Sequence, residues 1–276
     1  MSLLLDHIVI LVKDLEQTIA DFDALGFTVQ RGGTHADGAT HNALIGFQDG
    51  SYFELIAFLR NAPRHRWWDA GERVGEGLVN FALLPQSVPA TVDAAHGRGL
   101  RYDGPNDGGR IRPDGKRLEW QTAKPPTPDL PFLCGDVTPR DLRVVRGDVR
   151  KHQNGALGVA SLTVAVHDLD ASVARYRALF GEALAVHAGT LTGHGVSFAS
   201  LHAGESTVVL LASNGAAQLA DHNMAQNTLA HDLNRRLSTR GEGVFGVTLR
   251  TGHHAVPQAL PLKLTHGAPL ELATTP

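Results

Sequence analysis

Cysteine is nearly absent. Cys134 is the one thiol in 276 residues, so no disulfide can join two parts of the chain, and a reducing compartment is the expected setting. Positive charge is not in excess either. With 25 Lys+Arg against 28 Asp+Glu the formal net charge is −3 and the isoelectric point about 6.6, which leaves no electrostatic footprint for nucleic acid or an anionic membrane. No apolar run approaches the ~20 residues that span a bilayer. Residues 1–12 are apolar but carry Asp6 and lack a basic n-region and a small-residue cleavage site, so no secretory signal is expected and the expected location is cytoplasmic. A chain of this length suits one large or two medium domains and buries roughly three quarters of its unfolded surface.

Against that background the stretch from Leu4 to Phe58 carries most of the information. Asp6-His7-Ile8-Val9-Ile10-Leu11-Val12 is rich in β-branched residues and predicts a strand; Leu15, Ile19, Phe22 and Leu25 then recur at helical spacing. Gly26 ends that helix as a left-handed cap. Extended segments at 27–30, 41–48 and 51–59 complete a β-α-β-β-β unit. Asp49-Gly50 suits a two-residue type I′ turn, and pairing Gln48 with Ser51 across it places Ile45 opposite Glu54 and His41 opposite Phe58. Side chains alternate, so Glu54 shares a face with Tyr52, Ile56 and Phe58, and His7 with Val9 and Leu11. A buried carboxylate without a partner is costly or stays protonated, so a cation or a hydrogen-bond donor is expected beside Glu54. His7 and Glu54 form a candidate metal pair.

Residues 60–77 read as a connector whose Trp67-Trp68 pair covers a core edge. A second, less regular unit follows: a strand at 78–84, a helix at 87–98 with Ser87 as N-cap, and extended pieces at 100–102, 116–122 and 130–134. Asn80 stands in its first strand where His7 stands in the opening unit. Residues 138–155 are polar and Arg-rich and read as a solvated crossover without a function of their own.

Then the beginning recurs. Val12, Asp14, Leu15, Ile19, Ala20, Phe22, Ala24 and Leu25 correspond to Val166, Asp168, Leu169, Val173, Ala174, Tyr176, Ala178 and Leu179, each 154 positions later. Extended pieces at 183–187, 196–201 and 207–211, a helix over 216–236 and strands at 243–250 and 260–272 make a third unit and a shortened fourth. The same spacing carries His7 onto Ser161, so the polar pair does not recur. The expected organisation is a domain of two units over 1–150 and a degenerate second pair over 151–276.

The runs LDHIVILVKDLEQTIADFDALGF, GGTHADGATHNALIGF, GSYFELIAF and RIRPDGKRLEWQT, from Leu5 to roughly Val145, resemble the vicinal oxygen chelate superfamily and, within it, the glyoxalase-like domain group. The resemblance implies an α+β fold in which repeated βαβββ modules form half-open barrels. It also implies a divalent metal ion (Zn, Mn, Fe, Ni or Mg) in the cup, with His7 and Glu54 matching the first module's ligands. The second module departs from the pattern, with Asn80 a poor donor and Phe132 or Cys134 where a second carboxylate is expected.

The implied activity is that of a lyase, isomerase or dioxygenase acting on a small oxygenated metabolite, with Glu54 also serving as general base if its pKa is raised. The alternative is a non-catalytic protein that sequesters a small molecule in the same cup. His41, Asn80 and Trp120 are candidate pocket residues in either case. His35 reads as a loop residue, Cys134 as a small buried hydrophobe, and His253-His254 and Glu271 as surface. The partner is a small molecule; a homodimer is compatible with the resemblance, although the units a cup needs are already covalently linked.

Overall fold

The computed structural model describes residues 3–214, 228–252 and 257–274. In the first half the elements are β1 (Leu4–Leu11), α1 (Leu15–Ala24), β2 (Gln30–His35), β3 (Thr40–Gly46), β4 (Tyr52–Phe58), α2 (Trp68–Val74), β5 (Gly77–Leu84), α3 (Val88–Gly97), β6 (Asp103–Ile111), β7 (Arg117–Lys124) and β8 (Phe132–Asp136). The crossover holds a short helix α4 (Arg140–Arg143). The second half has β9 (Ala156–Ala165), α5 (Leu169–Phe180), β10 (His187–Leu191), β11 (Val196–Ala203), β12 (Ser206–Ser213), α6 (Thr228–Arg240), β13 (Gly243–Thr251), β14 (Gln258–Ala259) and β15 (Leu270–Ala273). The predicted helix over 216–236 falls partly, and His253-His254 wholly, outside the described residues. No described helix is long and apolar enough to cross a membrane.

Each helix that follows a unit's first strand starts from a side-chain cap. Asp14 accepts from Gln17 N, Ser87 from Ala90 N and Asp168 from Ala171 N, which satisfies an otherwise orphan N–H at each start. The first eight strands join in the order β1-β4-β3-β2-β6-β7-β8-β5 and close into a barrel, where the resemblance implied a half-open one. Closure runs through β1 against β5 and through a short seam in which Thr34 pairs with Ile111 and His35 with Arg110. The remaining strands form a seven-stranded sheet, β10-β11-β12-β9-β13-β15-β14.

Ile8, Ile10, Phe53 and Leu55 point out of the barrel into a core that is continuous with Val159, Leu162, Val164, Leu249 and Leu272 of the second sheet. Val9, Leu11, Ile56, Ala82, Phe132 and Cys134 line the inside. The second sheet has no matching hollow among the described residues, because Ala230 and Leu233 of α6 pack onto Ala165, Val196 and Leu211.

The β3–β4 register differs from the expected one by a residue. Leu44, not Ile45, lies opposite Glu54, and His41 lies opposite Ala57. The turn is a three-residue loop: Phe47 N donates to Ser51 O at 2.8 Å, and Gly50, at φ 89°, takes the left-handed position. Contacts from β9 hold this loop, since Gln48 N donates to Leu157 O at 2.9 Å and Val159 N to Asp49 Oδ2 at 3.0 Å. A slip of one residue reverses every side chain of β3. Asn42 therefore faces inward and His41 outward.

Candidate active site

The barrel holds a cavity of about 930 Å³ whose wall includes His7, His35, Asn42, Glu54, Trp67, Trp120 and Phe132. The Glu54 carboxylate is part of that wall. His7 Nε2 lies 3.5 Å from Oε2, His35 Nε2 lies 3.4 Å from Oε1, and Asn42 Nδ2 donates to Oε1 at 2.6 Å. Burial pushes the carboxyl up; the hydrogen bond and charge of His35, the charge of His7 and the Asn42 hydrogen bond outweigh it and hold Glu54 at about 2. Glu54 is thus an ionised ligand-type group, and the condition on which it would serve as general base, a raised pKa, is not met. A carboxylate at that value takes up protons poorly near neutral pH.

Both imidazoles are held from behind. His7 Nδ1 meets Asp6 Oδ2 at 2.7 Å, and its ring stacks on Tyr52 with centroids 4.6 Å apart. Asp6 can do this because β1 carries a bulge between Leu5 and His7 where it pairs with β5, and a bulge re-aims the extra side chain. Asp6 is fully buried and accepts from Arg143 Nη1 at 2.7 Å and Arg140 Nη1 at 2.6 Å. Burial pushes Asp6 up, but Arg143, the His7 hydrogen bond and Arg140 hold it well below the usual carboxylate range. An ionised Asp6 only accepts, so His7 Nδ1 carries a proton toward it and Nε2 faces the cavity. His35 is oriented the same way, with Nδ1 2.8 Å from Thr40 Oγ1.

Of the residues singled out in the sequence, His7 and Glu54 meet in the cup, and Trp120 walls it, edge-on to His35 at 6.0 Å. Asn80 and His41 do not line the cavity. The Asn80 side-chain oxygen accepts from Phe81 N at 2.8 Å, and His41 is turned outward by the β3 register. His35 is no loop residue but the last position of β2, a strand hidden in the sequence by Gly32-Gly33. A Cβ at Gly32 would collide with Asn42 Oδ1, so glycine is what lets the Asn42 amide reach Glu54. The crossover is not idle either. Arg143, buried, donates to Asp6, to Asp136 Oδ1 at 2.6 Å and to the Tyr52 hydroxyl at 2.8 Å, and so supports the His7 ring from two sides. Trp67, expected over a core edge, lines the cavity. The Cys134 thiol is pushed up to about 12 by burial and is no nucleophile. Asp6 was legible only as a charge beside His7 in an apolar strand.

Paired βαβββ units closing around an imidazole–carboxylate pair define the class: this is the architecture of the vicinal oxygen chelate superfamily. The model of the glyoxalase-like domain family matches residues 5–180, and the chain belongs to that family. A comparison of the sequence with curated proteins finds no match. Similar solved structures include a hypothetical protein from Staphylococcus aureus, with a TM-score of 0.70 at 14% identity over 99% of this chain and 100% of that one. A mutant 4-hydroxymandelate synthase from Streptomyces coelicolor has a TM-score of 0.60 at 13% identity, over 91% and 72% of the two chains. A xylose isomerase-like TIM barrel/4-hydroxyphenylpyruvate dioxygenase fusion protein has a TM-score of 0.54 at 15% identity, over 92% of this chain and 37% of that one. At these identities what is shared is the fold.

Superfamily members typically use a divalent metal. The donor chemistry here fits one: two imidazoles, each with Nδ1 engaged behind and Nε2 forward, and an ionised carboxylate. As they stand, each imidazole meets a different oxygen of Glu54, and no group of three His, Cys, Asp or Glu among the described residues is placed to hold an ion.

Proposed function

We propose that the cup is the active site of a metal-dependent enzyme acting on a small oxygenated metabolite, of the lyase, isomerase or dioxygenase type, with His7, His35 and Glu54 as the residues that hold the cation. The observation that carries this is an ionised, buried Glu54 between two imidazoles whose other nitrogens are already engaged. When bound, a divalent ion of the Zn, Mn, Fe, Ni or Mg group supplies a Lewis acid that chelates adjacent oxygens. Asp6 keeps a proton on His7 Nδ1 and the ring in one orientation, Asn42 positions Glu54 Oε1, and Trp120 and Phe132 shield the bound molecule from water. A lone buried thiol at Cys134 supports a cytoplasmic setting.

Elemental analysis of protein purified without chelator tests the proposal. About one equivalent of divalent metal is expected, lost in Glu54→Gln and strongly reduced in His7→Ala and His35→Ala. Protein that stays metal-free and takes up no Co²⁺ on titration sinks it. That result favours a second reading, a protein that sequesters a small molecule in the same cup. The observation in its favour is that the second module adds no strong donor: the Asn80 oxygen is occupied and Cys134 stays protonated.

A further inference from the structure

Arg66 stands in the cavity wall with its guanidinium against two rings, Cζ lying 4.1 Å from the Trp67 centroid and 4.2 Å from that of Phe132. The two ring centroids lie 6.3 Å apart, so both rings meet the cation from neighbouring directions, and the N–H groups on its open side are free to bond. Three other arginines of the wall are already used, whereas Arg64, exposed, has neither a partner nor a ring against it among the described residues. Arg143 donates to Asp6 and Asp136, Arg110 to Gly32 O and Arg143 O, and Arg60 to Asp37 O at 3.0 Å and Gly38 O at 3.3 Å. Among the described residues the Arg66 nitrogens have neither a hydrogen-bond acceptor nor an ion-pair partner. Arg66 is exposed to solvent; packing in the wall lowers its pKa to about 10 against the pull of Glu54, and the group is a cation at neutral pH.

We infer that Arg66 is the carboxylate-binding residue of the cup and that the protein's ligand is a small organic carboxylate, bound by the guanidinium edge at one end and turned toward His7, His35 and Glu54 at the other. This rests on reading the cup as the binding site. A planar fork presenting two parallel N–H groups matches the two coplanar oxygens of a carboxylate. Polarity sets the direction, since ionised Glu54 repels an anion and Arg66 attracts it. The two poles are close, because the Phe132 ring that backs Arg66 also meets the His7 ring edge-on at 5.2 Å. A ligand about one aromatic ring long therefore spans them. Ionised Glu54 across the cup repels a phosphate dianion more than a carboxylate monoanion.

Calorimetry and tryptophan fluorescence with benzoate, phenylacetate, benzamide and phenyl phosphate test this, on protein with and without EDTA. Benzoate or phenylacetate is expected to bind saturably, with a dissociation constant of about a millimolar or tighter. Benzamide and phenyl phosphate are expected to bind at least ~10-fold more weakly. Arg66→Gln abolishes the preference for the acid over the amide, and Arg66→Lys, which keeps the charge without the fork, loses part of it. Equal binding of benzoate and benzamide, no saturable binding of either acid, tighter binding of phenyl phosphate, or an unchanged preference in both variants overturns the inference. An Arg66-dependent preference that persists in EDTA stands even if the metal assignment fails. Metal bound normally by Arg66→Gln without that preference in the wild type leaves the metal assignment intact and removes the carboxylate.

Discussion

Glu54 is ionised in an apolar barrel because donors surround it, and this makes its contribution to stability depend on pH. Its folded pKa lies near 2 against an ordinary 4.5, a difference of about 3 kcal/mol. The depressed value means that this stability is present above pH ~4.5 and is lost as pH falls toward 2. Denaturant unfolding between pH 5 and 2 should therefore show the wild type losing about 3 kcal/mol more than Glu54→Gln. Parallel pH profiles for the two proteins contradict the assignment. Glu54 could be named from the sequence because a carboxylate in an apolar strand needs a partner, but of its partners His35 read as a loop residue, and Asn42 enters only through the observed β3 register.

The bulge in β1 does for His7 what the glycine in β2 does for Asn42: one re-aims Asp6 and the other leaves room for the amide, so that a supporting side chain arrives. Asp6 carries the larger load, as a buried anion shared by Arg140, Arg143 and His7. Removing one member of a buried charge cluster leaves the others uncompensated. Asp6→Asn is therefore expected to cost about 3–5 kcal/mol in denaturant unfolding. Combining it with Arg143→Met should cost less than the sum of the two single changes, with a coupling of ~1 kcal/mol or more. Strict additivity would mean that Asp6 and Arg143 act separately. Neither β2 nor α4 was legible as part of the site, since a Gly-Gly strand lacks β propensity and exists here through pairing with β3 and β6.

Barrel and second sheet share one core, and several contacts cross between them. Arg175 of α5 pairs with the buried Asp129 at 2.8 Å, and Arg98 donates to Ala178 O at 2.6 Å. His266 lies 3.0 Å from Glu76 and 3.2 Å from Asp21. A fragment of residues 1–150 would expose the outward face of Ile8, Ile10, Phe53 and Leu55 along with an uncovered Asp129. That fragment is expected to be insoluble or to bind hydrophobic dyes without a cooperative melt, as judged by calorimetry and near-ultraviolet circular dichroism. A soluble fragment that melts cooperatively would establish the first half as an independent unit. The α6 helix filling the second sheet accounts for one cup, rather than two, among the described residues.

Local physics reaches only a few residues, and within that range the sequence was sufficient. Alternation along β1 and β4 turned His7 and Glu54 inward, helical spacing and the caps Asp14, Ser87 and Asp168 set the helices, and the 154-residue repeat exposed the duplicated unit. The β3 register was not decided locally, because the loop at Gln48–Gly50 takes its shape from β9, more than a hundred residues away. The same holds for the groups behind and beside the central pair. Arg143 reaches Asp6, His35 reaches Glu54, and Arg66 meets the Phe132 ring only when the ring of eight strands closes, and that closure depends on pairings between distant segments.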